Sequence, residues 1–188
     1  PKLPPPPPPP PPLLRGARIR LGYMSTDLGD HPVGHQAWFW AHDATRFDVV
    51  LFALSRSDGS EWWRNNTLMV PPGNFVELGR PGSDITAGVL AGEVNERGVH
   101  VLVTLNGWTS GNQLDTMALR PAPVQVEYMG SHDSTGASFI DVFVSDRIAT
   151  PPEFGMPYFS EKITVLPYSF FANEYAGSRG HVPLRADD

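Results

Sequence analysis

The chain has 188 residues, no cysteine and a formal net charge of −6, with 40% hydrophobic and 18% charged residues. That length suits one domain, and that composition suits a packed body and not a disordered chain. The acidic balance argues against sequence-independent nucleic-acid binding, which needs a basic face. The lack of cysteine excludes disulfide frameworks, thiolate nucleophiles and cysteine–zinc sites. No apolar run reaches the ~18 residues of a membrane span. A signal peptide is not expected either, because prolines stand where its apolar core would be.

Residues 1–17 read as a proline-rich, disordered tail. Pro4 to Pro12 are nine consecutive prolines, which lack backbone donors and favour an extended polyproline II helix. Such a tract serves as a linker or as a ligand for a proline-binding module. The body, residues 18–176, then alternates two kinds of segment, and residues 177–188 read as a flexible end. Strands are predicted over Arg18–Met24, Phe47–Leu54, Asn74–Leu78, Val99–Leu105, Val124–Met129, Ile140–Val144 and Lys162–Leu166. Helices are predicted over Pro32–Asp43, Asp58–Val70, Asp84–Arg97 and Gln113–Leu119. Strand–helix alternation at this spacing gives βαβ units, hence an α/β, doubly wound and mostly parallel sheet covered on both faces.

Ligands of such sheets bind beyond the carboxyl ends of the strands, at a switch in strand order. Three loops there are rich in glycine, hydroxyl and amide groups: Ser25–His35, Asn106–Asn112 and Gly130–Gly136. Glycine permits close backbone approach, and hydroxyls with free N–H groups suit phosphate or sugar oxygens. The same residues also make ordinary turns. His31 precedes Pro32, a good first residue of a helix, and so falls at or beside an N-cap. The positive end of a helix disfavours imidazolium, leaving a neutral ring able to act as a base or to accept from a hydroxyl; a capping role is the plain alternative. His31 and His35, four apart, have the spacing of a metal pair, but no third ligand is evident and no metal site is expected.

Several fingerprints are missing. There is no G-x-G-x-x-G, no G-x-x-x-x-G-K-[ST] and no G-x-S-x-G. Ser131-His132-Asp133 carries triad letters, but adjacent residues on one loop cannot form the relay. Trp38, Phe39, Trp40, Trp62 and Trp63 read as packing residues. Asp141 and Asp146 bracket a strand and read as its caps.

Taken in order, Arg20–Pro32, Gly107–Gly111, Leu119-Arg120-Pro121-Ala122-Pro123-Val124-Gln125-Val126, Gly130–Gly136, Ser160-Glu161-Lys162 and Leu166–Phe171 resemble the catalytic region of the protein O-GlcNAc transferase family. The resemblance covers roughly residues 18–173, and SPINDLY-type O-fucosyltransferases share much of it. It implies the Rossmann-like N-terminal lobe of a two-lobed GT-B glycosyltransferase. The implied reaction moves GlcNAc from UDP-GlcNAc to Ser or Thr of proteins, with inversion and without a catalytic metal or other cofactor. It also implies a catalytic role near the reacting centre for His31, and donor- or substrate-facing roles for His35, Asn106, Gly107, Thr109, Gly130, Thr135 and Gly136. A second lobe, expected to hold most of the donor, is needed for activity, and a cytoplasmic or nuclear location is implied. Two features depart from the pattern: Arg97 stands before Gly98 where an Asp is common, and Ser131-His132-Asp133 replaces a Tyr-Pro-Gly-like run. Those departures and the proline tract leave a second reading, a non-catalytic interaction module with a proline-rich arm.

Overall fold

The apolar runs all enter one sheet. The computed structural model describes residues 3–8, 13–35, 41–79, 85–153 and 156–171. Its strands are β1 (Ile19–Ser25), β2 (Phe47–Ala53), β3 (Phe75–Glu77), β4 (Val101–Thr104), β5 (Val124–Glu127), β6 (Val142–Asp146) and β7 (Lys162–Leu166). They lie in the order β3-β2-β1-β4-β5-β6-β7, and every neighbouring pair is parallel. The helices are α1 (Glu61–Met69), α2 (Ala87–Glu96) and α3 (Leu114–Ala118).

Each face of the sheet has its own core, as near-continuous apolar strands require. On one face Leu21, Tyr23, Leu51 and Val103 pack with Trp63 of α1. On the other, Met24, Phe52 and Leu102 pack with Leu90 and Val94 of α2 and Met117 of α3. The sheet is therefore doubly wound. Gly22 faces the second core so closely that a Cβ would stand 3.0 Å from both Phe52 and Val99.

Boundary differences have local causes. Helix α1 starts after Ser60, whose hydroxyl accepts from Trp63 N–H at 3.1 Å, and α2 after Thr86, which accepts from Val89 N–H at 3.3 Å. Both are ordinary N-caps, two residues beyond the predicted starts. Strand β4 begins late because the ring of His100 accepts the Arg20 N–H at 2.9 Å in place of a carbonyl. Strand β6 begins late because the Asp141 carboxylate takes the Gln125 N–H at 2.8 Å. Strand β5 ends early, ahead of Met129, which sits at φ +75°.

The helix expected over Pro32–Asp43 is not found among the described residues. Pro32–His35 form a turn, residues 36–40 (with Trp38, Phe39 and Trp40) lie outside the described residues, and the chain from 41 to 46 is irregular. Asn66 fixes the loop ahead of that turn by donating to the carbonyls of Leu28 (2.8 Å) and Gly34 (2.9 Å). Trp63 is buried edge-on against Phe75, and Trp62 lies beside His35.

The run Arg120–Gln125 proves to be a staple. Arg120, at φ +52°, donates to the carbonyls of Phe139 and Pro123 and to Asp141. The fully buried Gln125 amide donates to the carbonyls of Met117 (2.8 Å) and Phe139 (2.7 Å). Gln125→Leu would leave both carbonyls without that donor. It should lower the urea midpoint by a stability loss of about 2 kcal/mol at an unchanged m-value.

Candidate functional site

The strand order reverses between β1 and β4, and the loops that follow these strands diverge around a crevice. Asn106, 1% exposed, ties them together. Its side-chain oxygen accepts from Thr26 N–H at 3.2 Å, and its amide donates to Thr26 Oγ1 at 2.8 Å and Asp27 Oδ2 at 2.9 Å. Its own carbonyl accepts from the Thr109 N–H and hydroxyl. Gly111, at φ +79°, lets the loop turn tightly over Thr26.

The loop after β5 closes against this pair. A Cβ on Gly130 would stand 2.0 Å from the Asn106 carbonyl carbon, and one on Gly107 would stand 2.5 Å from Ser131 Oγ. Trp108 Nε1 donates to the Ser134 carbonyl at 3.2 Å. The three loops thus meet around one cleft of about 330 Å³, lined by Asp27, His31, Pro32, Val33, Leu105, Thr109, Ser110, Met129, Gly130 and Phe171.

His31 stands at the rim, exposed. Its N–H donates to Gly29 O at 2.8 Å, and its carbonyl accepts from His35 N–H. Its Nδ1 accepts from Val33 N–H at 3.3 Å. A neutral ring held this way carries its proton on Nε2, so that edge donates. For the ring to accept from a hydroxyl, it must surrender the Val33 bond. His31 does cap a turn, as its position before Pro32 suggests.

The other sequence-selected residues divide into two groups. Thr109 and Gly130 line the cleft with His31, and Asn106 and Gly107 build its wall. His35 does not line it: its Nε2 pairs with Asp30 at 2.9 Å and its ring lies 4.2 Å from that of Trp62. Thr135 and Gly136 do not line it either. Thr135 is buried, and its N–H and hydroxyl both go to Glu161; the Gly136 N–H goes to Ser134 Oγ at 3.1 Å. Among the described residues no group of three or more His, Asp or Glu side chains could hold a metal.

Four contributors escape a sequence reading. Asp27 and Met129 enter the cleft lining, Met129 through its left-handed backbone, a strained conformation for a side-chain-bearing residue. Phe171 is brought there by the segment after β7. Asp146 accepts from Phe170 N–H at 2.6 Å, Tyr128 Oη donates to Phe170 O at 2.5 Å, and His132 packs edge-on against the Phe170 ring. Asp146 also caps the turn that follows β6 through the amides of Ile148 and Ala149. The Ala149 and Phe170 amides hold its carboxyl below the usual range.

The fourth is Glu127, at the end of β5 and fully buried. Among the described residues neither of its carboxyl oxygens has a hydrogen-bond partner of good geometry. Burial, opposed by the nearby amides of Gly107 and Tyr128 and reinforced by Glu161, pushes its pKa up to about 8. Glu161 shows the opposite outcome. Burial works to raise its pKa, but hydrogen bonds from Thr135 and Ser134 outweigh that and hold it below the usual value. A pattern of alternating apolar and polar letters carries no sign of either environment. In the loop after β2, Asp58 accepts from Ser60 and from the Asp30 N–H of the loop after β1, and these bonds bring its pKa down to about 2.

Residues 10–186 match the sequence profile of Glycosyl transferase family 41. The chain belongs to this family. It is 35% identical over 160 residues to the probable UDP-N-acetylglucosamine–peptide N-acetylglucosaminyltransferase SEC of Arabidopsis thaliana, a match covering 84% of this chain and 16% of the relative. It is 34% identical over 183 residues to the UDP-N-acetylglucosamine–peptide N-acetylglucosaminyltransferase of Caenorhabditis elegans, covering 96% and 15%. The Arabidopsis SPINDLY protein, also described as a probable UDP-N-acetylglucosamine–peptide N-acetylglucosaminyltransferase, is 33% identical over 72% of the chain. Among solved structures, an O-GlcNAc transferase variant of Thermobaculum terrenum superposes with a TM-score of 0.73 at 27% identity, covering 82% of this chain and 29% of that one. The family 41 chain described here thus spans about one sixth of the length of these curated relatives.

Glu127 yields a pH prediction. Its folded pKa lies above that of an ordinary carboxyl, so the native state binds the proton more tightly than the unfolded chain. The contribution to stability is complete below pH ~4.5 and is lost as pH rises through about 8. Urea titrations of the native protein should therefore show a loss of stability on the order of 5 kcal/mol across that window. Glu127→Gln and Glu127→Met should flatten it.

Proposed function

We propose that this family 41 chain is the N-terminal lobe of a two-lobed protein O-glycosyltransferase, using UDP-GlcNAc as donor and Ser or Thr hydroxyls of proteins as acceptors. The observation that supports this reading most directly is the cleft at the switch in strand order, where His31, Thr109 and Gly130 converge. The relatives described as UDP-N-acetylglucosamine–peptide N-acetylglucosaminyltransferases point to the donor and the acceptor class. No helix among the described residues is long and apolar enough to cross a membrane.

In this reading the acceptor oxygen attacks the anomeric carbon from the face opposite the diphosphate. The bond from that carbon to the phosphate oxygen breaks with its electron pair going to UDP, so configuration inverts. The acceptor proton leaves for a base or for the departing phosphate. His31, with Nδ1 engaged by Val33, presents an Nε2 donor toward the reacting groups, which suits an oxygen gaining negative charge. The Thr109 hydroxyl gives its proton to Asn106 O and offers its lone pairs to the cleft, able to accept from a sugar hydroxyl. A cleft closed by a second lobe excludes water and so limits donor hydrolysis. The Asn106 clamp is a positioning device: it fixes where Thr109 and the loop after β1 stand.

The reading is tested in the two-lobed protein with UDP-GlcNAc and a Ser/Thr peptide. His31→Ala should lower kcat by roughly 10²-fold and leave the thermal midpoint close to that of the parent, since the side chain is exposed. Turnover equal to that of the parent would remove His31 from the mechanism. A product that retains the donor's anomeric configuration would overturn the single-displacement step.

A further inference from the structure

The proline tract is the one sequence motif that the glycosyltransferase reading leaves unused, and the structure gives part of it a partner within the chain. Residues 3–8 run extended along the outer side of α2. Two contacts place them. At the first turn of α2, Pro4 packs on Gly88 so closely that a Cβ there would stand 3.0 Å from Pro4 Cγ, and among the described residues beyond the helix itself Pro4 supplies the atoms such a Cβ would meet within 4 Å. Near the other end of α2, Asn95 Nδ2 donates to the Pro8 carbonyl at 2.7 Å.

The spacings agree. Gly88 and Asn95 are seven residues apart, ~10.5 Å along a helix axis. Pro4 and Pro8 are four apart, ~12 Å in polyproline II. The segment therefore lies alongside α2 without kink or stretch. The chemistry suits it as well. A polyproline segment has no N–H groups, so its carbonyls must find donors elsewhere, and a side-chain amide is such a donor. Its stiffness means little conformational entropy is lost on docking. The half-exposed Val89 flanks the contact. Most of the segment stays solvent-exposed even when docked, which makes the contact reversible.

We propose that α2 is a docking face for the chain's own proline arm, residues 3–8, held in cis by the Pro4–Gly88 contact and the Asn95–Pro8 hydrogen bond. Docked, the arm presents only its outer side to any polyproline-reading groove; released, it presents all of it. The arm and α2 run in the same direction, so the Pro4 end lies where α2 begins. That is beside the carboxyl edge of the sheet, the edge that carries the cleft.

The chain has no cysteine, so a single nitroxide can be attached through Leu3→Cys in the full chain, and its broadening of backbone amides read by NMR. Broadening concentrated on Gly88, Val89 and the following turn of α2, with Gly73 unaffected, is the expected result. Gly88→Leu should abolish that pattern without unfolding the protein, because among the described residues a Cβ at 88 crowds Pro4 and not the core, and because glycine is a poor helix residue. Asn95→Ala should weaken it. A diffuse pattern with no preference for α2 would overturn the proposal. So would an α2 pattern that persists unchanged in both variants, since the arm would then be near the helix for reasons other than these two contacts.

Discussion

A single side-chain amide closes the gap that the strand order opens. Where β1 and β4 lie side by side, the chain leaves in opposite directions on either side, and past the bond from Leu105 N–H to Met24 O no backbone hydrogen bond joins the two loops among the described residues. Asn106 supplies the missing link, with its oxygen on Thr26 and its nitrogen on Thr26 and Asp27. Asn carries two donors and an acceptor on a short stem, whereas an ionised Asp only accepts and Ser or Thr has a single donor. Buried as it is, each of these bonds also protects a group that would otherwise be costly to strand away from water. Thr109, the turn around His31 and the approach of Gly130 all take their positions from it.

Two carboxylates near the same edge show how environment and not residue type sets charge. Glu161 receives hydrogen bonds from Ser134, Ser160 and Thr135 and remains an anion. Glu127, deeper and only weakly met by the amides of Gly107 and Tyr128, favours the neutral acid. Their proximity makes the two states interdependent, because the charge on Glu161 adds to the cost of ionising Glu127. The loop from Gly130 to Gly136 is thereby anchored at one end by an anion and bordered by an uncharged acid.

The architecture was legible because β2 and β4 are dense apolar runs and strand and helix patterns alternate at a regular spacing, and the glycine- and hydroxyl-rich loops at the carboxyl ends marked the edge that carries the cleft. What the letters hid were partners far away in sequence. Asn106 meets Thr26 across 80 positions and Tyr128 meets Phe170 across 42, and no local pattern encodes such pairs. The segment after Pro32 looked helical from its leading proline, yet its first residues are held as a turn beside Asn66, which lies on α1. Thr135, selected for its hydroxyl, is consumed by Glu161. Arg120-Pro121-Ala122-Pro123-Val124-Gln125, which carried the family resemblance most specifically, serves the joint between β5 and β6 and not the cleft. A specific motif marks ancestry, and the reason for its specificity can be purely architectural.

The close approach of Gly130 to Asn106 has a consequence for how such a lobe can change over generations. A side chain at 130 would collide with the backbone on which the cleft is built, so drift at that position ends in loss of the site. One residue later the constraint changes kind: Ser131 Oγ accepts from Trp108 N–H, His132 packs edge-on against Phe170, and Asp133 is exposed. A change at Ser131 or His132 costs one side-chain contact, and a change at Asp133 costs less still. This stretch, where the family resemblance is weakest, therefore answers to side-chain contacts, directly beside a position that admits no side chain at all.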